Sequence, residues 1–249
     1  MKTLQSPFTL YDFFGYLFPG ITFGLLSLPC PHFRDICSSF YSSLSFMGHN
    51  SNILFFGAVI IVTGYIAGHV VAALSSLLLE RFIVEKFLKY PANNLFFREP
   101  SKKPIFFPKF CSPYSNVFQQ SYKSKFETLF KIKFEHPADL FWCSFEYVAL
   151  YCNEAFLRSL NFLNLYGFSR NLSMAFLLSG VLSLFLHWLF PVNTTAVIWP
   201  YTIASFILSI FMFWNYLKLL RRLNDEVFRA FYTHSILKDS IAIDENQIA

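Results

Sequence analysis

Three stretches of this chain, residues 13–33, 36–79 and 171–217, contain no Asp, Glu, Lys or Arg. A helix crosses the hydrocarbon of a bilayer in roughly 20 apolar residues. The first stretch fits one crossing, over residues 7–29. The second fits one crossing, over 53–79, preceded by a polar, Ser-rich lead-in from Ser38 to Asn52. The third is long enough for two, over 171–190 and 197–217, broken at Pro191 to Thr195. Composition agrees: 14% of residues are charged, against about 25% in soluble domains. The 34 phenylalanines exceed what one water-surrounded core needs. The expected fold class is an all-α membrane protein, with four transmembrane helices and a cytoplasmic helical lobe.

Orientation follows from the basic residues, which favour the cytoplasmic side. Segment 80–170 holds 13 of the 20 Lys and Arg, the tail after Leu217 holds five, and Lys2 precedes the first span. Only Arg34 falls in the first outer connection and none in the second. Both termini are therefore expected inside, in a bacterial inner membrane. The first span is read as a retained helix rather than a cleaved signal, because Asp12 precedes it, Pro19 and Gly20 interrupt it, and Pro29 occupies a position where cleavage needs a small residue. The expected organisation is 1–90 for the first two spans, 91–169 for the basic loop and lobe, 170–237 for the second hairpin with a tail helix, and 238–249 for a loose end.

Along the chain, Ser6 and Pro7 suit a helix start, and Pro19 predicts a kink. Gly20 and Gly24, and then Gly64, Gly68 and Ala72, are spaced four apart, so each set lies on one helical face and permits close helix approach. The first two helices are expected to pack through these faces; a contact between subunits is the rival reading. The second helix is expected to run on through Arg81, Glu85 and Lys89, with a Glu85–Lys89 pair, and to stop near Tyr90 and Pro91. Residues 91–114, with five prolines, read as a loop or extended wrap. Ser115 to Phe134 reads as an amphipathic helix with Phe118, Tyr122, Phe126 and Phe130 on one face. A helix over 137–166 follows, apolar nearly all round, which must be buried or lie along the membrane. In it Glu154 and Arg158 can pair. Tyr166 to Asn171 reads as a turn. Trp188 and Trp199 are placed at the outer interface, and Trp214 and Tyr216 at the inner one, as an aromatic belt.

Candidate chemistry is sparse. Arg229 and His234 match the R-x4-H spacing that resembles HEPN-type ribonucleases, where the pair acts on the scissile phosphate and its 2′-hydroxyl. A chain with six His and eight Arg yields such a spacing readily by chance, so an ordinary exposed helix stands beside that reading. His69 near the middle of the second span and His187 near the outer end of the third are ionisable groups inside the membrane, which mark functional positions unless a neighbouring carbonyl or hydroxyl satisfies them. For His69 a helix contact competes with a pore or proton role. Asp12 suits the first turn of a helix; if buried, Arg170 or the Arg221–Arg222 pair could answer it. Cys30 and Cys37 fall in the outer segment and form a disulfide if that compartment is oxidising. Lys102, Lys103, Lys109, Lys123, Lys125, Lys131 and Lys133 make a basic inner surface for anionic headgroups, with a nucleic acid or an acidic protein as alternatives. No phosphate-binding, zinc-protease or nucleophile-elbow motif is present, so neither enzyme activity, nor a metal, nor a cofactor is expected.

Tyr11 to Gly20, Tyr166 to Asn171 and Arg222 to Arg229 together resemble, in general type, small multi-pass membrane proteins found beside bacterial defence and CRISPR-associated genes. The residues that carry it make up about a tenth of the chain. It implies a membrane effector or accessory subunit in antiviral defence. The expectation is a non-enzymatic homo-oligomer that alters permeability or recruits a cytoplasmic partner. A passive anchor for a soluble enzyme and the nuclease are the alternatives.

Overall fold

The computed structural model describes residues 12–27, 35, 38–39, 42, 49–97, 107–133, 135–189 and 195–248. Among them there is helix and no strand. Helix α1 is Phe13–Ser27, opening with a wide π turn over Phe13–Leu17. Helix α2 is His49–Ser75, continued by π turns over Ser76–Leu88. Then follow α3 (Pro91–Phe96), α4 (Asn116–Phe130), α5 (Pro137–Tyr151), α6 (Asn153–Leu189) and α7 (Thr195–Ile248). Three helical stretches are long and apolar enough to cross a bilayer: Gly57–Phe96, Asn153–Leu189 and Ile198–Lys238. The described part of α1 is shorter and apolar. Two compact units result, one of residues 1–82 with 164–216, the other of 83–163 with 217–249.

In the first unit many of the buried residues are polar or small, and many large apolar ones face outward. On α2 the inward stripe is Gly64, Gly68, Val71, Ala72, Ser75 and Leu79, at helical spacing. A Cβ on Gly20 would run into the Gly64 carbonyl, and one on Gly68 into the Tyr16 carbonyl. Both glycines are thus required by the close approach of α1 to α2. Gly24 has nothing near its missing Cβ, so α1 uses only the first glycine of its pair. Helices α6 and α7 run antiparallel through buried hydroxyls: Ser173 Oγ donates to the Ser209 carbonyl at 2.8 Å, Ser209 Oγ to the Ser173 carbonyl at 2.9 Å, and Thr202 Oγ1 to Ser183 Oγ at 3.2 Å. Asn215 Nδ2 extends the ladder to Ser169 Oγ at 2.8 Å. Outward, Ile60, Val62, Ile66, Val70, Phe185, Ile210 and Phe211 are all exposed. Water would penalise such a surface, and lipid does not.

The second unit has an aromatic core. Tyr122, Phe126, Phe228 and Phe231 are fully buried with Leu95, Leu140 and Val148. The four-residue aromatic spacing of α4 turns its stripe inward, Phe118 and Phe130 flanking the two buried members. Ser144 Oγ donates to the Leu140 carbonyl at 2.7 Å, which leaves it to accept from the Tyr122 hydroxyl at 2.6 Å. Asn94 Nδ2 caps the end of α2 through the carbonyls of Leu88 and Lys89. Arg221 fastens the segment before α4, donating to the carbonyls of Phe110 and Ser112 at 3.1 and 2.8 Å while pairing with Asp225.

Several boundaries differ from expectation. No turn forms at Tyr166 to Asn171: α6 is continuous, since one glycine costs a helix only about 1 kcal/mol and the side chains of Ser169 and Asn171 are bonded across to other helices. The break comes earlier, at Cys152, whose backbone leaves the helical region. Pro91 starts the short helix α3 instead of an extended wrap, because proline is well tolerated at a first helical position. Helix α4 stops at Phe130, with Lys131 left-handed at φ 57°; Phe134 lies outside the described residues. Lys89 has φ 64° and has left α2, so it is not in helical register with Glu85. Helix α7 runs to Ile248, past the expected stop near Leu237, as no Gly or Pro follows Pro200.

Candidate functional site

The most constrained polar group in the first unit is the amide of Asn171, which is fully buried. An α-helix would satisfy the Gly15 carbonyl with the N–H of residue 19, but residue 19 is proline and has none. The backbone widens instead, the Phe18 N–H reaching back five residues to the Phe13 carbonyl. Asn171 Nδ2 donates to the Gly15 carbonyl at 2.7 Å. Its Oδ1 accepts from Ser75 Oγ, and from Arg170 Nε at 3.2 Å. The single hydroxyl hydrogen of Ser75 is also within reach of the Ala72 carbonyl, at 2.8 Å. Arg170 pairs in turn with Glu80, both side chains largely withdrawn from solvent. One amide thus joins α1, α2 and α6, with an ion pair beside it.

This cluster ties the three helices together through buried polar contacts. Among the described residues no group of His, Cys, Asp or Glu converges as metal ligands. Arg170 stands out in the sequence only as a candidate partner for Asp12, and Glu80, at the edge of a charge-free run, has no role assigned from sequence. Ser75 has none either, and Asn171 reads as part of a turn.

Other expected positions are scattered. His69 is exposed, its ring stacked on Tyr16 at 4.1 Å between centroids and edge-on to Tyr65 at 4.5 Å. His187 is half-buried beside Trp199, its Nδ1 buried without a hydrogen-bond partner among the described residues. Asp12 stands half-buried at the head of α1. Of the arginines proposed to answer it, Arg170 pairs with Glu80 and Arg221 with Asp225, while Arg222 is exposed. Trp188, Trp199 and Trp214 are exposed, as a lipid belt requires. Tyr216 is not part of that belt; it is fully buried, with its ring 6.0 Å from that of Tyr166.

In the second unit Arg229 is exposed and His234 half-buried. Five residues apart on one helix, they point about 140° from each other. His234 Nδ1 is within 2.9 Å of the Tyr147 hydroxyl, and its ring stacks on Tyr151. Arg158 pairs with Glu226 at 2.7 Å rather than with Glu154, which acts on it only at longer range. Of the basic residues Lys109, Lys123, Lys131 and Lys133 are exposed and Lys125 is half-buried. Lys102, Lys103, Cys30 and Cys37 lie outside the described residues. Burial raises the thiols of Cys143 and Cys152 above the ordinary range, which makes them poor nucleophiles. No family model, curated protein or solved structure matches this chain.

Proposed function

We propose that this chain is a four-span protein of a bacterial inner membrane with both termini in the cytoplasm. Its second unit is the cytoplasmic lobe, and it acts without catalysis, as an effector or accessory subunit that recruits a cytoplasmic partner. The carrying observation is the second unit itself: a closed aromatic core with its own capping and arginine pin. A mere connection between spans needs no such core. The exposed lysines of that unit suit an acidic protein face or anionic headgroups. The charge distribution along the chain supports the topology, and the resemblance supports a role in antiviral defence.

The test is recovery of the chain from salt- and urea-washed membranes together with a soluble protein. Replacing Lys109, Lys131 and Lys133 by Glu should abolish co-recovery of that protein. If binding to anionic liposomes is lost instead, with no protein partner recovered, the reading changes to a headgroup contact. A reagent that cannot cross membranes should label residues 107–133 only after permeabilisation; labelling on intact cells refutes the topology.

An oligomer that alters permeability is the second reading, favoured by the exposed imidazole of His69. Ion flux through liposomes carrying the purified chain supports it, and silent bilayers with and without partner remove it. The nuclease reading requires RNA cleavage that Arg229→Ala and His234→Ala abolish. It gains nothing from two side chains that leave the helix in different directions.

A further inference from the structure

The outer face of α2 carries a polar group that lipid cannot satisfy. Ala58, Val62, Ile66, His69 and Ala73 are exposed and recur at helical spacing, with half-buried Tyr65 among them. His69 lies eleven residues before Glu80, roughly 16 Å along a helix, which is half of a hydrocarbon layer of about 30 Å. Its ring is sandwiched by aromatic faces and edges, and neither nitrogen has a hydrogen-bond partner among the described residues. A polar group left bare at that depth costs several kcal/mol in general. The exposed hydroxyl nearby, on Thr63, is already bonded to the Val59 carbonyl at 2.6 Å, so it does not share this problem.

The geometry points to this face as the contact between two copies of the chain within the bilayer, His69 hydrogen bonding across it. The inference rests on the membrane reading above and deepens its oligomeric form. Two observations select a second copy as occupant. Gly20, Gly64 and Gly68, which would otherwise have offered a subunit contact, are consumed between α1 and α2, which leaves this stripe outward. A neutral imidazole is one donor and one acceptor, so the face is chemically self-complementary, as the common two-fold pairing demands. Lipid tails offer neither group. A charged partner is not called for, as the stripe holds no carboxylate or cation.

The experiment uses the full chain, extracted from urea-washed membranes and returned to lipid, with subunits counted by single-molecule photobleaching across a range of dilutions. A photocrosslinker at position 66 should give a product of twice the chain's mass. His69→Leu should weaken association about three- to fifteen-fold, the range of one interhelical hydrogen bond in a membrane. His69→Gln, which keeps a donor and an acceptor, should restore most of it, and Val181→Leu on α6 should change nothing. A membrane-embedded wild type that stays monomeric, His69→Leu that associates as wild type does, or a photoproduct with a different membrane protein each overturns the inference. Recovery of the chain in a soluble fraction overturns the membrane reading instead.

Discussion

Asn171 supplies to the Gly15 carbonyl, from 2.7 Å, the hydrogen bond that Pro19 withholds. The two residues lie on different helices, and each explains the other. A proline inside a helix leaves a carbonyl that lipid cannot satisfy, and a buried amide needs an acceptor. Replacing Asn171 by Leu should therefore cost about 2 kcal/mol, the usual penalty for stranding a buried polar group. In a Pro19→Ala background, where the backbone donor returns, that cost should shrink. Thermal melts of the four variants in one detergent give the coupling. Equal costs in both backgrounds refute it.

The glycines make opposite predictions. Gly20→Ala and Gly68→Ala place a methyl group against backbone atoms of the facing helix and should destabilise by about 2 kcal/mol or more, because backbone cannot step aside. Gly24→Ala and Gly57→Ala meet nothing. They should be neutral, or stabilising by up to about 1 kcal/mol through reduced chain entropy. Melting temperatures of the four single variants decide it, and a uniform effect is the failing outcome.

For Glu80 and Arg170, either Glu80→Leu or Arg170→Leu leaves an unanswered charge largely out of water. Each should lower stability by about 3 kcal/mol. The double variant should recover most of this, since removing both charges also removes their desolvation cost. A double variant as unstable as the sum of the singles contradicts the pairing.

Alkali should destabilise the second unit. Burial and then the neighbouring Asp225 carboxylate hold the Tyr114 hydroxyl well above the ordinary phenol value of 10.0, and burial does the same for Tyr122. The folded chain therefore keeps protons that the unfolded chain releases above pH 10. Their stabilisation is complete below that pH and falls as pH rises, by about 1.4 kcal/mol per pH unit for each group. Trp142 is the only tryptophan in this unit, so a variant retaining it alone reports its unfolding. Tyr114→Phe should flatten the decline above pH 10. An unchanged slope counts against the assignment.

Helical class and the long apolar helices were legible because charge-free runs and four-residue aromatic spacing are one-dimensional signals. The inward face of α4 and the glycine faces of α1 and α2 could be read for that reason. Breaks were harder. Tyr166 to Asn171 carries turn residues, but Ser169 and Asn171 form bonds to other helices, which only the packed structure provides. Tyr216 reads from sequence as an interfacial aromatic, because composition cannot distinguish a ring facing lipid from one sealed against Tyr166. The polar cluster was not legible as a cluster: Arg170 is expected from sequence to answer Asp12, not Glu80, and Asn171 reads as part of a turn. The hydroxyls joining α6 to α7 were present at regular spacing, yet serine in an apolar run reads equally as filler.

That ladder of serines carries a consequence for sequence drift. A bulky side chain at 173 or 209 would force the two helices apart, whereas Ile, Leu, Val and Phe on the outer surface are interchangeable to acyl chains. Among descendants of a common ancestor, residues 169, 173, 183, 202, 209 and 215 should remain small or amide-bearing, even after the lipid-facing positions between them have randomised within the apolar alphabet.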